Sequence, residues 1–506
     1  MKETPQEDRP RIVVIGGGIS GLAAALRCVE RSAEMARPPE VLLLEGSPRL
    51  GGVIRTQKRD GFLLEAGPDS FISEKTEAVS LARRVGLADH LIETTGAHRR
   101  SFIVRRGRLH AVPEGFHLLA PSLLWPFIKT PIFSWMGKAR MALDLILPRR
   151  AAENRGEPEE SLAQFVRRRL GREALERMAQ PMVGGIYTAD PEHLSLRATM
   201  PRFLEMEQAH RSLIWAMMRR RRREMTAEAS RGTSGARYSL FLSFDGGMQM
   251  LSDAVSQRLP ETSVRLNTQV EALSFDQEAR RWKIHLNGGE ALRADAVCLA
   301  LPATASARLL RDVDAALAAE LDAIPYASTA TVNLAWRRAD VPHPLDGFGF
   351  VVPRVERRAT LACTFSSVKF KGRAPDGHVL LRAFLGGALQ PEMFELDEEM
   401  MTARVLEDLR ALLGIGAPPL FAVVEKWPRS MAQYTLGHLE KVERIKRQLD
   451  DLSGLHLAGN AYSGAGIPDC IRSGETAADN ILAALQSRLS RSETRAQESP
   501  GGAIYQ

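Results

Sequence analysis

Several features are missing from this sequence, and each absence excludes a class of protein. No stretch of about 18 uninterrupted apolar residues is present, so a membrane-spanning helix is not expected. The four cysteines are widely spaced and form no Cys-x-x-Cys pair, which argues against a disulfide framework and a zinc site and favours a reducing compartment. Neither a zinc finger nor another nucleic-acid-binding signature occurs. Residues 1–10 lack the apolar core of a signal peptide. We therefore expect a cytoplasmic protein with no metal ion and no nucleic-acid partner.

The composition is that of an ordinary globular chain. Of the 506 residues, 44% are hydrophobic and 25% are charged, and this length predicts about three domains or subdomains. The net charge of +7 comes partly from an unbroken run of five arginines, Arg219–Arg223. Such a run can bind anionic lipid or an acidic substrate, or it can be a solvated basic loop. The sequence leaves these alternatives open.

The order of predicted elements indicates an α/β fold with a nucleotide-binding domain assembled from separated segments. A βαβ unit is predicted from the strand Arg11–Ile15, the helix Leu22–Val29 and the strand Val41–Leu44, with a polar loop at Arg31–Pro39. A late strand, Leu455–Gly459, is followed by glycines and a closing helix, and it can return to the same sheet.

The middle of the chain is predicted to alternate between helical and strand-rich regions. It is mostly helical from His90 to Arg211, Arg219–Arg237 reads as a loose linker, and the tail after Ser487 reads as disordered. Further strands are predicted within Ser263–Leu301 and at Ala330–Trp336, Phe348–Val352, Val379–Phe384 and Val423–Trp427, with helices at Glu398–Leu413 and Ile471–Gln486.

The strongest local signal is a glycine-rich turn after the first predicted strand. Gly16, Gly18 and Gly21 match the dinucleotide-binding pattern Gly-x-Gly-x-x-Gly. The first glycine allows the tight turn, the second lets the backbone approach a pyrophosphate, and the third lets helix and strand pack closely. Backbone N–H groups at Ile19 and Ser20 would face the phosphates from the helix N-terminus.

A carboxylate stands where the ribose of such a cofactor would lie. Glu45 ends the second predicted strand, 24 residues after Gly21, and can accept hydrogen bonds from ribose hydroxyls. An acidic residue there disfavours the 2′-phosphate of NADP. The following segment resembles the Glu-x3-Arg-x-Gly-Gly extension of amine oxidase-like flavoproteins, which narrows the cofactor to FAD. The residues concerned are Glu45, Gly46, Arg49, Gly51, Gly52 and Val53.

Other segments resemble the cofactor-binding regions of the same flavoproteins. The Phe62–Phe71 segment resembles the stretch that leads into their active site, Val270 lies where they place backbone against the adenine, and Trp427 is expected near the flavin. Near the C-terminus, a strand, a glycine-containing turn and a helix would cap the flavin. The residues predicted to bind the cofactor in these segments are Gly67, Pro68, Asp69, Val270, Trp427, Gly459, Gly466, Ile467, Pro468 and Ile471.

Four segments make the resemblance more specific, and the chain looks like the oxygen-dependent porphyrinogen oxidases along most of Arg11–Leu485. Val53 is apolar where many amine oxidases carry arginine. Residues 184–195 resemble the family's Gly-Ile-Tyr-x-Gly-Asp-Pro segment, with Ala189 where glycine is usual. Residues 427–438 and the Gly466–Cys470 segment also match. The flavin-linking cysteine motif of monoamine oxidases is absent, so the resemblance implies one non-covalent FAD.

The resemblance implies oxidation of a porphyrinogen to the porphyrin in two-electron steps, with molecular oxygen as acceptor and hydrogen peroxide as product, in haem biosynthesis. No nucleophile–base pair or P-loop is found, so the chemistry would belong to the cofactor. Arg55 is expected to bind a substrate propionate, because a guanidinium pairs bidentately with a carboxylate. Arg99 and Arg100 are weaker candidates, and Gly185 would line the cavity for the flat tetrapyrrole. Coproporphyrinogen III is favoured slightly over protoporphyrinogen IX, on the Gly466–Cys470 segment.

Two rival functions remain open at this point. An amine oxidase or a carotenoid desaturase-like enzyme would share the same scaffold, and fold alone does not exclude either. A non-catalytic FAD-binding protein is the third reading, although intact motifs at both ends argue against it. The oligomeric state is not predicted.

The segment Val112–Leu147 is unusually apolar and allows two interpretations. It contains two tryptophans among its many large apolar residues, and four prolines prevent a spanning helix. It is either the core of a helical substrate subdomain or a monotopic patch that contacts one membrane leaflet. The resemblance, through the family's peripheral membrane association, favours the second.

These observations divide the chain into seven segments. They are the FAD-binding domain at 10–90, 237–305 and 421–486, a helical and membrane-contacting subdomain at 91–218, a basic linker at 219–236, a mixed sheet of the substrate domain at 306–420, and a disordered tail at 487–506.

Overall fold

The computed structural model describes residues 9–96, 100–117, 119–150, 159–231 and 241–498, with the backbone alone at 117, 224–231 and 489–498. A five-stranded parallel sheet forms the first layer. Its strands, in spatial order, are Val264–Arg265, Glu40–Leu44, Arg11–Ile15, Ala296–Leu299 and Leu455–Leu457. Apolar residues fill both faces of the central strands, as a parallel sheet covered on both sides requires.

Two helices from opposite ends of the chain pack together against this sheet. They are Ile19–Ser32 and Ile467–Glu498. A Cβ atom on Gly474 would lie 2.1 Å from the carbonyl oxygen of Ser20, so the glycine permits the close approach of the two backbones. The contact shows that segments from the two ends of the chain pack together on one parallel sheet.

A mixed seven-stranded sheet forms the second layer. Its order is Phe421–Ala432, Tyr326–Arg337, His378–Gly386, Ala362–Thr364, Gly349–Val351, Phe102–Arg105 and Arg108–Ala111. One face packs against the helix Glu398–Leu413, and the other face contacts the hairpin of Thr56–Arg59 and Phe62–Glu65. Alternation along Tyr326–Arg337 therefore sends successive side chains to two different buried environments.

Helices gather between residues 124 and 231. They are Leu124–Lys129, Trp135–Ala142, Leu162–Arg169, Arg172–Ala174, a π-helical turn at Leu175–Ala179, Gln180–Tyr187, Leu196–Thr199, Pro201–His210 and Leu213–Arg231. Arg169 is fully buried there and donates through Nε to Asp144 at 2.7 Å, which ties two parts of the helical region together. None of the described helices combines the length and apolar character that crossing a membrane would need.

The remaining elements are short and connect the layers. Strands Phe71–Ile72, Phe241–Phe244 and Leu91–Glu93 form one sheet, Val270–Asp276, Arg281–Leu286 and Ala291–Ala294 form another, and Phe116–His117 pairs with Ala120–Pro121. The other helices are Glu77–Arg84, Gln249–Gln257, Ala303–Leu310, Ala315–Asp322, Ser366–Lys369, Pro391–Glu395 and His438–Asp450, with single 3-10 turns between elements.

Three predictions of local structure are wrong. The region after His90 starts with strands, and helices begin only at Leu124, because short β-type runs such as Phe102–Arg105 complete the seven-stranded sheet. The predicted linker at Arg219–Arg237 is helical as far as Arg231, and its last part lies outside the described residues. The predicted disordered tail continues the last helix to Glu498.

One strand joins a different layer from the one that the sequence division suggested. Phe421–Ala432 pairs with Tyr326–Arg337 over the length of both strands, although residues from 421 onward were expected with the nucleotide-binding segments. Long strands of equal length make this pairing, and Trp427 thereby lies on the seven-stranded sheet.

Candidate functional site

The glycine turn at residues 16–21 has the geometry of a dinucleotide cradle. Gly16 has a φ of +107°, and a Cβ atom there would lie 2.5 Å from the carbonyl oxygen of Ala300. A Cβ atom on Gly21 would lie 1.8 Å from the carbonyl oxygen of Gly16. Gly18 differs, because a Cβ atom there meets no described atom within 4 Å. The first and third glycines therefore permit backbone packing, whereas the second borders open space.

The polar groups around this open space suit the phosphates and the ribose. Gly18 is the N-cap of Ile19–Ser32 and supplies no side-chain cap, so the first N–H groups of the helix, at Ile19 and Ser20, are available to an anion. Glu45 accepts hydrogen bonds from the backbone N–H groups of Gly17 at 2.6 Å and Ser47 at 2.8 Å. A carboxylate is thus fixed beside the glycine turn, as the sequence predicted.

A second loop, which contains Gly51 and Gly52, packs directly on the glycine turn at residues 16–21. Gly51 donates its N–H to the carbonyl oxygen of Gly17 at 2.8 Å, and a Cβ atom on Gly52 would lie 3.2 Å from Cα of Gly18. Arg49 donates to the carbonyl oxygens of Leu50, Gly52 and Ile54. Burial lowers the pKa of Arg49, and the charge of Arg55 lowers it further. Arg49 therefore braces its own loop and brings a cation close to the cradle.

The segment at residues 65–69 is held by side chains of the seven-stranded sheet and by Ser243 of the strand Phe241–Phe244. Its carbonyl oxygens accept hydrogen bonds from Asn333 (to Glu65, 3.2 Å), Thr331 and Trp427 (to Ala66, 3.0 and 2.9 Å), Arg382 (to Gly67) and Ser243 (to Asp69, 2.7 Å). A Cβ atom on Gly67 would lie 1.7 Å from the carbonyl oxygen of Val53, so this segment touches the second loop. The bonds fix its backbone between the two sheets.

A buried charge cluster stands behind this segment. Burial would raise the pKa of Asp69, but Lys369 at 3.0 Å and the charge of Arg382 hold it well below its usual range. Burial lowers the pKa of Arg382 and raises that of Glu65. Asp69 is thus an anchoring carboxylate that is already paired within the chain, and Pro68 precedes it in the same turn.

The C-terminal half of the site meets the first half at the carboxyl ends of the parallel strands. Gly459 has a φ of +137°, and a Cβ atom there would lie 3.6 Å from the carbonyl oxygen of Leu301, close to the glycine turn. Gly466 precedes the helix that begins at Ile467, whose first turn contains Pro468 and the buried Ile471. Ligands of open α/β sheets bind at this edge.

Val270 and Cys470 lie near the predicted cofactor-binding segments, and both are buried. Val270 is buried at the start of a strand and pairs with Leu286. Cys470 is buried, and burial raises the pKa of its thiol to about 12. It is therefore a packing residue, not a thiolate.

The residues predicted to bind substrate fall into three different situations. Arg55 lies 3.2 Å from Glu425 on the seven-stranded sheet. Arg100 pairs with Asp346 and also donates to its carbonyl oxygen at 2.6 Å. Gly185 is exposed in the helix Gln180–Tyr187, where a Cβ atom would lie 3.9 Å from Val351. Arg99 lies outside the described residues.

Sequence reasoning missed the groups that support the segment at 65–69. Thr331, Asn333 and Arg382 are polar residues in otherwise apolar strands, and within the described chain Asn333 Oδ1 and Arg382 Nε are buried without a partner. The sequence did contain a signal for these residues, because a polar side chain buried inside a strand needs a hydrogen-bond partner. What was missing was the register that brings Asn333 opposite Arg382.

Comparison with known proteins identifies relatives over almost the whole chain. The chain is 35% identical to a coproporphyrinogen III oxidase of Bacillus subtilis, with 95% of this chain and 100% of the relative covered. It is 37% identical to a coproporphyrinogen III oxidase of Propionibacterium freudenreichii, with 94% and 92% covered. The human protoporphyrinogen oxidase is 33% identical, with 93% and 98% covered.

Solved structures share the fold. A protein from Exiguobacterium sp. 255-15, provisionally named a protoporphyrinogen oxidase, superposes with a TM-score of 0.82 at 30% identity, with 95% of this chain and 100% of that chain covered. A reduced UDP-galactopyranose mutase superposes with a TM-score of 0.69 at 17% identity, covers 94% and 96%, and shows the fold alone. The model of the flavin containing amine oxidoreductases matches residues 19–482, which include Gly21 of the cradle, the second loop and the C-terminal segment. The chain therefore belongs to the flavin containing amine oxidoreductase family.

Proposed function

We propose that this protein is a porphyrinogen oxidase of haem biosynthesis, which converts a porphyrinogen to the porphyrin with FAD as cofactor and molecular oxygen as acceptor. The observation that carries the proposal is the full-length similarity to porphyrinogen oxidases at 33–37% identity, together with a cradle whose central glycine borders open space. The rival amine oxidases are represented among the structural neighbours at 18–19% identity, which supports the common fold alone.

The site fits FAD bound without a covalent link. The open space over Gly18, the uncapped start of the helix Ile19–Ser32 and the fixed carboxylate of Glu45 match the needs of a pyrophosphate and a ribose. The four cysteines are buried, and burial raises the pKa of each thiol, so none offers a thiolate to the flavin. The described residues contain one such cradle, which supports one FAD per chain.

FAD, when bound, would supply two-electron oxidation of the substrate, with molecular oxygen reduced to hydrogen peroxide. The chain's own residues position the reactants. The carbonyl oxygens of Ala66 and Gly67, held by Trp427 and Arg382, fix the backbone beside the second loop. Gly185 leaves room for a flat macrocycle against Val351, because any larger residue would extend into that space.

Coproporphyrinogen III is the substrate that we favour. Two coproporphyrinogen III oxidases share 35% and 37% identity with this chain and another shares 30%, whereas three mammalian protoporphyrinogen oxidases share 33–34%. A substrate with four propionates suits cations at the cavity, and Arg55, Arg99 and Arg100 are the proposed partners. Arg55 and Arg100 each contact a carboxylate of the chain as well, so substrate binding there is a competition between carboxylates.

Anaerobic mixing of the FAD-loaded protein with each porphyrinogen tests the proposal. Bleaching of the flavin absorbance by coproporphyrinogen III, followed by porphyrin fluorescence when oxygen enters, is the expected result. Faster bleaching by protoporphyrinogen IX would reverse the substrate preference. Absence of bleaching with both, in protein that is fully loaded with FAD, would reject the porphyrinogen assignment.

We also propose that the protein touches a membrane surface through the segment at residues 124–146. Trp125, Trp135 and Met136 are 66%, 73% and 84% exposed, which is unusual for side chains of this size. Lys129 lies 4.7 Å from the ring centre of Trp125, so a cation accompanies the apolar surface. Aromatic residues beside basic ones suit the interface between lipid headgroups and acyl chains.

A further inference from the structure

We infer that Glu425 is a specificity-determining residue, which weakens the binding of carboxylated tetrapyrroles by neutralising Arg55. The inference rests on the proposed function, since it concerns the same substrate class. It starts from the finding that the arginine predicted to bind a propionate already has an internal carboxylate as its partner.

Arg55 and Glu425 differ in exposure and in the number of side chains that hold them. Arg55 Nη1 lies 3.2 Å from Glu425 Oε2, and the other oxygen of Glu425 accepts a hydrogen bond from the side-chain amide of Gln57. The Glu425 side chain is only 15% exposed, whereas that of Arg55 is 43% exposed. Glu425 is therefore fixed from two sides, and the guanidinium is the member of the pair that a ligand can reach.

The position of the pair links it to the cofactor loops. Arg55 follows directly after the loop that contains Gly51 and Gly52, and its positive charge lowers the pKa of Arg49 in that loop. Glu425 stands two residues before Trp427, whose indole N–H holds Ala66. The pair thus lies where the second loop meets the seven-stranded sheet, beside the proposed flavin site.

Unused hydrogen-bonding capacity remains on the arginine. Among the described residues, Nε and Nη2 of Arg55 have no partner, while Nη1 is taken by Glu425. A guanidinium offers five N–H donors in a fixed fork, so a substrate carboxylate can still bind the free edge. The substrate carboxylate then lies next to the negative charge of Glu425. The repulsion between the two carboxylates offsets much of the attraction between the substrate and Arg55.

The consequence depends on how many carboxylates the ligand carries. A tetracarboxylate places more negative charge near Glu425 than a dicarboxylate does, so it loses more binding free energy to this repulsion. Glu425 therefore limits how tightly the more highly charged tetrapyrrole is held. Removal of its charge should strengthen the binding of the tetracarboxylate more than that of the dicarboxylate.

The test measures porphyrin binding to the FAD-loaded protein, independently of turnover. Titrations with coproporphyrin III and protoporphyrin IX, followed by fluorescence quenching, compare wild type with Glu425→Gln. We expect the Kd for coproporphyrin III to fall by about twofold to fivefold, the range of a partly exposed ion pair. The Kd for protoporphyrin IX should change less, and added salt should reduce the difference between the two proteins.

Three variants and one control test whether Glu425 changes porphyrin binding through its charge and through Arg55. Glu425→Asp keeps the charge and should bind as wild type does. Arg55→Gln should weaken coproporphyrin III binding, and in the double variant Arg55→Gln/Glu425→Gln the gain from Glu425→Gln should disappear. Glu320→Gln is the matched control, because it removes a carboxylate from an ion pair with Arg444, at 2.7 Å between two other helices. If Glu425→Gln fails to load FAD, Glu425→Thr replaces it, since threonine suits a strand.

The outcomes separate this inference from the proposed function. Unchanged or weaker coproporphyrin III binding in Glu425→Gln overturns the inference, and so does an equal gain in Glu320→Gln. Failure of the wild type to oxidise either porphyrinogen overturns the proposed function, whereas the binding titrations still decide the role of Glu425. A gain that persists without Arg55 shows that Glu425 does not act through it and also overturns the inference.

Discussion

At the scale of single residues, the three glycines of the cradle are predicted to differ in what they do. Gly18→Ala adds a methyl group in open space, at a φ of −69° that alanine adopts easily, so the protein without FAD should keep its stability. The same methyl group would enter the space of the pyrophosphate and should weaken FAD binding by about 1–3 kcal/mol, the usual cost of overpacking. FAD titration by flavin fluorescence measures the loss.

Gly21→Ala is the matched comparison for this prediction. Its added Cβ atom would lie 1.8 Å from the carbonyl oxygen of Gly16, so the turn itself must shift. We expect a lower thermal midpoint of the FAD-free protein for Gly21→Ala and an unchanged one for Gly18→Ala. Equal FAD affinities in wild type and Gly18→Ala would contradict the placement of the cofactor over this turn.

His438 is predicted to make stability depend on pH. Its ring stacks on Tyr434 with centres 4.1 Å apart, and burial, followed by the charge of Lys441, lowers its pKa from 6.5 to about 4. The unfolded chain therefore binds a proton that the folded chain does not bind between these values, so the free energy of unfolding falls as the pH drops from 6.5 to 4. The loss attributable to this residue is about 3 kcal/mol.

Denaturant unfolding of wild type and His438→Gln across this pH range measures the effect. The difference in unfolding free energy between the two proteins should shrink as the pH falls, because glutamine does not titrate. Parallel profiles for wild type and His438→Gln would show that His438 accepts its proton equally well in the folded and the unfolded chain.

The residues that the sequence could and could not predict differ in a physical way. Gly16, Gly21 and Glu45 were predictable because they belong to a local sequence motif, and the structure places them together at the carboxyl ends of two neighbouring parallel strands. Glu425 was not predictable as the partner of Arg55, since it lies 370 residues away and meets it only through the strand register. Long-range pairing between strands is not written in the local pattern of either strand.

At the scale of elements, the helix Leu213–Arg231 shows how burial overrides local preference. The charge of the segment and its serine and glycine residues favoured a loose linker as the prediction, and five consecutive arginines repel one another along a helix. The four residues Leu213, Ile214, Ala216 and Met217 are buried at its start, which anchors the helix to the helical region. Tertiary packing supplies most helical stability in proteins.

Hydrogen exchange tests this helix directly. Amides of residues 216–223 should exchange more slowly than those of an unstructured chain, because each is bonded within the helix. Met218→Pro should remove that protection, since proline costs about 3 kcal/mol in a helix interior. Ala315→Pro, at the first position of another helix, is the matched control and should leave the exchange of 216–223 unchanged. Exchange at the rate of an unstructured chain in the wild type would favour the linker instead.

At the scale of the whole molecule, the nucleotide-binding unit was predictable and the second layer was not. Strands around residues 11, 41, 297 and 455 are short, apolar and followed by glycine or proline turns, so each indicates the same parallel sheet. The seven-stranded sheet recruits Phe102–Arg105 and Arg108–Ala111 from a region that reads as helical. Its order depends on contacts across the molecule that no single segment encodes.

The exposed apolar segment at residues 124–146 yields the last prediction. Vesicles that contain anionic phospholipid should bind the FAD-loaded protein, because Trp125, Trp135 and Met136 can bury apolar surface among the headgroups while the neighbouring Lys129 meets the phosphates. The triple variant Trp125→Ser/Trp135→Ser/Met136→Ser should lose this binding in a flotation assay. A triple variant at exposed apolar positions outside the segment, Val355→Ser/Leu420→Ser/Leu436→Ser, should bind as wild type does. Equal binding of the two triple variants would mean that another surface meets the lipid, and wild-type protein that does not float would reject the membrane proposal.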